Sequence, residues 1–179
     1  MTRVMRDSTT AADIPINGTQ LVAGYINGKY AWPDEGYGRF PGIPHVFIDI
    51  SGDHPHAGVL DVEPGCAPIE AAPPWVRARR RLLPDAYPPI LYANRTTLTP
   101  LFNALEADGL HVVRDFRLWI ATLDGTRKVA DMTGVTAVQY KRGRNRDEQG
   151  HWTEEPGPAV AEGHFDESIV YDDEWHHHA

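Results

Sequence analysis

Short apolar runs with polar ends recur along the chain. Val4-Met5-Arg6-Asp7 opens the series, followed by Leu21 to Ile26, His45 to Ile50, Gly58 to Glu63 and Ile90 to Asn94. Phe116 to Ala121, Val135 to Tyr140 and Ser168 to Tyr171 complete it. Most of these runs are too continuously apolar for a sheet wet on one side, so they read as strands covered on both faces. Between some of them the period lengthens. Pro74 to Leu83 places Trp75, Val76, Ala78, Leu82 and Leu83 at helical spacing, and Arg77, Arg79, Arg80 and Arg81 read as that helix's wet face. Thr99-Pro100 reads as an N-cap with a first-turn proline, followed by Leu101, Phe102, Ala104 and Leu105 and a stop at Gly109. Weaker helices are expected over Asp13 to Thr19 and Thr126 to Thr133. Ser51 to Ala57 is too short for a packed helix, and Arg142 to Glu162 is a long polar loop leading to the last strand, at Asp166 to Tyr171.

Eight strands with helices between several of them predict an α/β fold: a TIM-type barrel of eight strands with some helices missing. An open doubly wound sheet is the alternative. At 179 residues one domain is expected, spanning 1–172, with a flexible acidic and His-rich tail at 173–179. Apolar content of 41% and charged content of 23% are ordinary for a soluble protein, and a net charge of −8 argues against a nucleic-acid partner. No signal peptide or membrane span is visible, so a soluble protein made in the cytoplasm is expected, acting on the cell wall only after release. A monomer is expected. Cys66 stands alone, so it cannot form an internal disulfide and reads as a half-buried filler.

The candidate chemistry starts at Val59-Leu60-Asp61-Val62-Glu63-Pro64-Gly65. Side chains two apart on a strand share a face, so Asp61 and Glu63 point the same way, and Pro64-Gly65 stops the strand just beyond them. Two close carboxyls cannot ionise independently, and a carboxyl pushed toward its protonated form can act as a general acid. An edge strand showing its acids to water is the plain alternative. The same habit recurs elsewhere, with Asp7, Asp49, Tyr92, Asn94, Gln139 and Tyr140 all at the carboxyl ends of their runs. In a parallel barrel those ends meet on one rim, where sites of this fold are built. Asp49 is expected to face that mouth, because an unpaired buried carboxylate is costly. Asp53-His54-Pro55-His56 reads as a solvated turn rather than a metal pair.

The chain resembles the family 25 glycoside hydrolases, the muramidase-type lysozymes, and especially the glycosidase-like barrel domains of actinobacteria and their phages. The resemblance is carried by Asp61-Val62-Glu63, Tyr92-Ala93-Asn94, Leu118-Trp119-Ile120-Ala121, Val138-Gln139-Tyr140 and His164-Phe165-Asp166, in register over about residues 3 to 172. It implies an incomplete eight-stranded barrel that cleaves peptidoglycan or a related amino-sugar polymer without a metal or organic cofactor. Glu63 matches the proton donor, Asp61 the neighbouring carboxylate, Asp7 the first-strand aspartate and Asp166 the late aspartate. Tyr92, Trp119 and Gln139 would line the sugar groove, with Asn94 and Tyr140 beside them. Asp61 would act as nucleophile or orient an N-acetyl group as internal nucleophile. Two rival readings stand beside this one. The first is a non-catalytic glycan-binding or virion-associated barrel. The second is an unrelated hydrolase whose Asp7, Asp61 and Glu63 hold a cation. The chain is short for the family, and its second and third strands look unlike those of its muramidases.

Overall fold

The computed structural model describes residues 2–129, 133–147 and 149–172; the tail expected at 173–179 lies outside them. Eight strands close into a barrel in chain order: β1 (Arg3–Asp7), β2 (Leu21–Tyr25), β3 (His45–Asp49), β4 (Val59–Asp61), β5 (Ile90–Asn94), β6 (Arg117–Ala121), β7 (Val135–Lys141) and β8 (Asp166–Val170). Every apolar run of the sequence is therefore a strand, and the open doubly wound sheet is ruled out. Strands β1 to β7 run parallel, whereas β8 pairs antiparallel with both β7 and β1. The amino end of β8 consequently joins the carboxyl ends of the other seven on one rim. That reversal brings Asp166 to the mouth.

Alternation along each strand sorts residues between two cores. Met5, Leu21, Ala23, Val46, Ile48, Val59, Ile90, Tyr92, Trp119 and Ala137 pack inside the barrel. Leu60, Leu91, Ala93, Leu118 and Ile120 point outward against Trp75, Val76, Leu101 and Leu105 of the outer helices. Among the described residues three α-helices form: the short α1 (Asp34–Gly38), α2 (Ala72–Leu82) and α3 (Arg95–Ala107). A third cluster, with Ile14, Val22, Trp32, Phe40 and Phe165, closes the barrel on the α1 side. There Gly24 is required, because a Cβ would meet the Trp32 ring at 2.6 Å.

The helix boundaries depart from expectation in instructive ways. Helix α2 begins at Ala72, with Pro73 and Pro74 in a first turn whose N–H groups would have no acceptor anyway. Helix α3 is capped by Asn94, not Thr99: the Asn94 side chain accepts from the backbone N–H groups of Thr96 and Thr97. Pro100 thus lies inside the helix and leaves the Thr96 carbonyl without its usual donor. A 3₁₀ turn (Ala11–Asp13) ends where the helix is expected to begin, and residues 14–19 form bends and a turn instead. Residues 126–129 and 133 are not helical, and 130–132 lie outside the described residues.

No helix joins β3 to β4. That connection is instead held from below by two buried charges. Asp49 is fully buried and faces outward, since Val46 and Ile48 already take the interior. It accepts from the backbone N–H groups of Ser51, Gly52 and His54, from Asn27 Nδ2 and, at 3.0 Å, from Trp75 Nε1. Arg79 donates to the carbonyls of His56 and Ala57. It is 2% exposed, so it is no part of the wet face expected for its helix.

Candidate active site

The mouth is built by register. In the antiparallel β1–β8 pair, Asp7 lies directly opposite Asp166, so their side chains share the interior face as close neighbours. Asp61 pairs with Tyr92, Tyr92 with Trp119, and Ala121 with Gln139. Beyond Asp61, Glu63 opens a tight turn: its carbonyl accepts from the Cys66 N–H at 2.9 Å, and Gly65 takes φ +91°. Proline at the second position and glycine at the third make this a type II turn. It holds Glu63 half-buried at the edge of the mouth, whereas Asp61 is 4% exposed.

Four carboxyls therefore share one low-dielectric space, and all four are pushed toward their protonated forms. Burial raises Asp7 well above the usual carboxylate range, and the charges of Asp166, Asp61 and Glu63 add to it. Burial also lifts Asp166, against donation from the Gly143 N–H and from Gln139 Nε2. Asp61 is pushed up to about 7, by burial first and then by Glu63, with the Cys66 thiol donating a hydrogen bond that partly offsets both. Glu63 is raised by burial and drawn back by a hydrogen bond from Asn94. Asn94 has its Oδ1 occupied by the start of α3, so its Nδ2 is the group left to donate to Glu63. The influence between the two runs from Glu63 to Asp61: burial is what raises Glu63, and the Glu63 charge adds to burial in raising Asp61.

Three polar atoms in this mouth, Asp7 Oδ1, Asp61 Oδ1 and Gln139 Oε1, are buried without a hydrogen-bond partner among the described residues. Unpaired buried acceptors are costly unless a ligand or water meets them. Beside them lies a cavity of about 280 Å3, lined by Asp7, Tyr25 and Asp166 on the barrel side and by Arg142, Arg144 and His164 of the β7–β8 loop. A second cavity, of about 210 Å3, has Glu63 in its wall. Among the described residues no group of three or more His, Cys, Asp or Glu side chains is arranged to hold a metal ion.

The structure brings Asp7, Asp61, Glu63, Tyr92, Gln139 and Asp166 together at one rim. Trp119 lies beneath them: it is 1% exposed, edge-on to Tyr92 at 4.8 Å, with Nε1 donating to Ser168 Oγ. It forms the floor of the mouth rather than an open stacking face. Asn94 serves the site through Glu63. Two of the expected residues are placed elsewhere. Asp49 is consumed by the β3–β4 loop, where hydrogen bonds from Ser51, His54, Asn27 and Gly52 outweigh the effect of burial and hold it below its ordinary range. Tyr140 is buried under Arg127, 4.6 Å from its ring, and lines neither cavity of the mouth. His54 and His56 are exposed, as a solvated turn requires.

One participant escaped the sequence reading. Tyr25 ends β2 on the interior face, borders the larger cavity, and is held protonated by burial and by the charges of Asp7, Asp61 and Asp166. It obeys the same rule as the others, a polar group at the carboxyl end of a strand. Extending its run by one residue, to Ile26, hid it.

No family model matches the chain, and no curated protein is detectably similar to it in sequence. The fold, by contrast, has solved counterparts. The chain superposes on a family 25 glycosyl hydrolase from Bacillus anthracis with a TM-score of 0.56 and 13% identity, covering 96% of this chain and 90% of that one. The CTP1L endolysin aligns at 13% identity and a TM-score of 0.49, over 96% of this chain and 67% of that one. This chain therefore has a barrel fold like that of a family 25 glycosyl hydrolase. Among the described residues, no helix is long and apolar enough to cross a membrane.

Proposed function

We propose that this barrel hydrolyses glycosidic bonds in peptidoglycan or a related amino-sugar polymer, with Glu63 as general acid and Asp61 assisting. The observation that carries the reading is the convergence of Asp7, Asp61, Glu63 and Asp166 on one rim, two of them with buried oxygens that no group among the described residues satisfies. Glycoside cleavage needs a proton for the leaving oxygen and negative charge facing an oxocarbenium-like centre. A cluster of carboxyls that retains protons near neutrality supplies the first, and positive charge developing on the sugar draws out the second.

Burial raises both Asp61 and Glu63, so reach rather than pKa decides between them. Glu63 is half-buried and walls a cavity, which lets it meet a glycosidic oxygen. Asp61 lies deeper, below the anomeric position, where a carboxylate stabilises the ring or orients its N-acetyl group. Tyr92 and Gln139 stand at the same rim, where the unpartnered Gln139 Oε1 is free to accept from a sugar hydroxyl, and Trp119 packs edge-on against the ring of Tyr92.

Release of reducing ends from purified cell walls tests this. Soluble fragments from the native protein and none from Glu63→Gln support it. Wall binding without any release would instead identify a glycan-binding barrel.

A further inference from the structure

The arginines of α2 divide between two surroundings. Arg79 is buried against the β3–β4 loop, whereas Arg77, Arg80 and Arg81 are exposed. With Arg114 they line a surface depression of about 490 Å3, which also takes in Leu110 and the carboxylate of Asp115. Asp115 is buried and pairs with both Arg80 and Arg114. Arg77 pairs with Asp108 at 2.7 Å. Arg81 makes no ion pair among the described residues, and Asp85, three residues past Leu82, lines no part of the depression. Four guanidiniums thus meet two carboxylates, on a chain whose formal net charge is −8.

Two large apolar side chains stand out beside these arginines. Leu82 follows Arg81 and is 44% exposed; Val113 precedes Arg114 and is 41% exposed. Val113 is also strained, a β-branched residue at φ +73°. Its N–H donates to the Phe116 carbonyl at 2.9 Å and its own carbonyl accepts from Arg117 Nη1, so the bend is held on both sides. Helices α2 and α3 return the chain from the carboxyl ends of β4 and β5 to the amino ends of β5 and β6. Leu82 and Val113 therefore lie at the end of the barrel opposite the mouth.

We propose that this face docks on an anionic lipid bilayer, its arginines against lipid phosphates and Leu82 and Val113 reaching into the acyl boundary. Guanidiniums match phosphate oxygens in paired hydrogen bonds and stay charged at any relevant pH. A soluble polyanion would satisfy the arginines equally well, but it has no use for two exposed aliphatic side chains. A headgroup layer takes both. Backbone strain at an exposed aliphatic residue costs the fold stability, and a use for that side chain outside the fold accounts for the cost. The attraction is local. The −8 of the whole chain repels an anionic surface at long range, and the arginines act within a Debye length, about 8 Å at physiological salt. Seated this way, the barrel turns its mouth away from the bilayer. The proposal is independent of the glycosidase reading, since no residue of the mouth enters it.

Co-sedimentation of the full chain with vesicles tests this. The chain should bind mixed phosphatidylglycerol and phosphatidylcholine vesicles at low salt, leave pure phosphatidylcholine vesicles unbound, and be released as salt rises. Arg81→Gln should weaken binding about fivefold, the effect of one surface arginine. Leu82→Gln and Val113→Gly should each weaken it severalfold, and the second should keep or raise Tm, because glycine relieves the strain at φ +73°. No binding to the anionic vesicles, or binding unchanged in the three variants, would overturn the proposal. Binding that soluble polyphosphate abolishes, and that Leu82→Gln and Val113→Gly leave unchanged, would overturn it in favour of a phosphate polymer. A spin-labelled lipid reads the orientation. It should broaden the methyl resonances of Leu82 and Val113 and spare Leu123, which is 37% exposed just past the carboxyl end of β6. Broadening at Leu123 instead would put the mouth on the bilayer and overturn the assignment.

Discussion

Asp61 and Glu63 are two residues apart on one face, yet a single turn gives them different lives. The Pro64-Gly65 turn leaves Glu63 half-exposed, while Asp61 stays inside the barrel with its pKa pushed up to about 7. Replacing Glu63 by Gln keeps size and hydrogen bonding but removes the proton, so activity should fall about 10²–10⁴-fold with the far-UV spectrum unchanged. Activity within a few-fold of native would discard Glu63 as the acid. Asn94 tests the same group from behind. It donates to Glu63 and caps α3, so Asn94→Ala should cost about 1 kcal/mol of stability and also raise the pKa of Glu63. The basic limb of the pH–activity profile should move upward, a shift that loss of the cap alone would not produce.

At the scale of elements, the connection between β3 and β4 shows what replaces a missing crossover helix. Asp49 and Arg79 hold it through backbone N–H groups on one side and backbone carbonyls on the other. Asp49→Ala leaves those N–H groups and Trp75 Nε1 buried without an acceptor, and should cost about 3–5 kcal/mol, read from urea unfolding. A loss below about 1 kcal/mol would mean that water re-satisfies the loop. The same element marks the edge of what the sequence discloses. Apolar runs located all eight strands, because continuous burial writes itself into composition. They did not say which face a terminal polar residue takes: on β3 a shift of one position sends Asp49 outward, while on β1 and β4 the same end position sends Asp7 and Asp61 inward. Nor did they disclose the reversed direction of β8, because an antiparallel strand reads the same as a parallel one and only the long β7–β8 loop differs. Asp166 was placed at the site by resemblance alone. The start of α3 was missed because Pro100 looked like a first-turn proline, although the Asn94 side chain had already begun the helix.

For the whole molecule, closing the barrel gathers Asp7, Asp61, Glu63 and Asp166 where none would ionise freely, and stability should bear the cost. Each has a folded pKa raised above its unfolded value. Between about pH 4, where unfolded carboxyls titrate, and about 7, where Asp61 does, the folded chain binds more protons than the unfolded one. The stabilisation is thus complete below that window and lost as pH rises through it. For Asp61 alone the loss is on the order of 4 kcal/mol once it is fully ionised. Asp49 works in the opposite sense. Its folded pKa is lowered, so its contribution is present above the unfolded value and lost only as pH falls through the folded one. Together these predict a Tm that is highest near pH 4, declines toward pH 8, and falls again in stronger acid. Asp61→Asn should flatten the decline on the neutral side by removing a buried charge, and should raise Tm at pH 8 while abolishing or crippling turnover. If Tm instead climbs steadily from pH 4 to pH 8, the mouth is wetter than its burial indicates, and Asp61 ionises there without penalty.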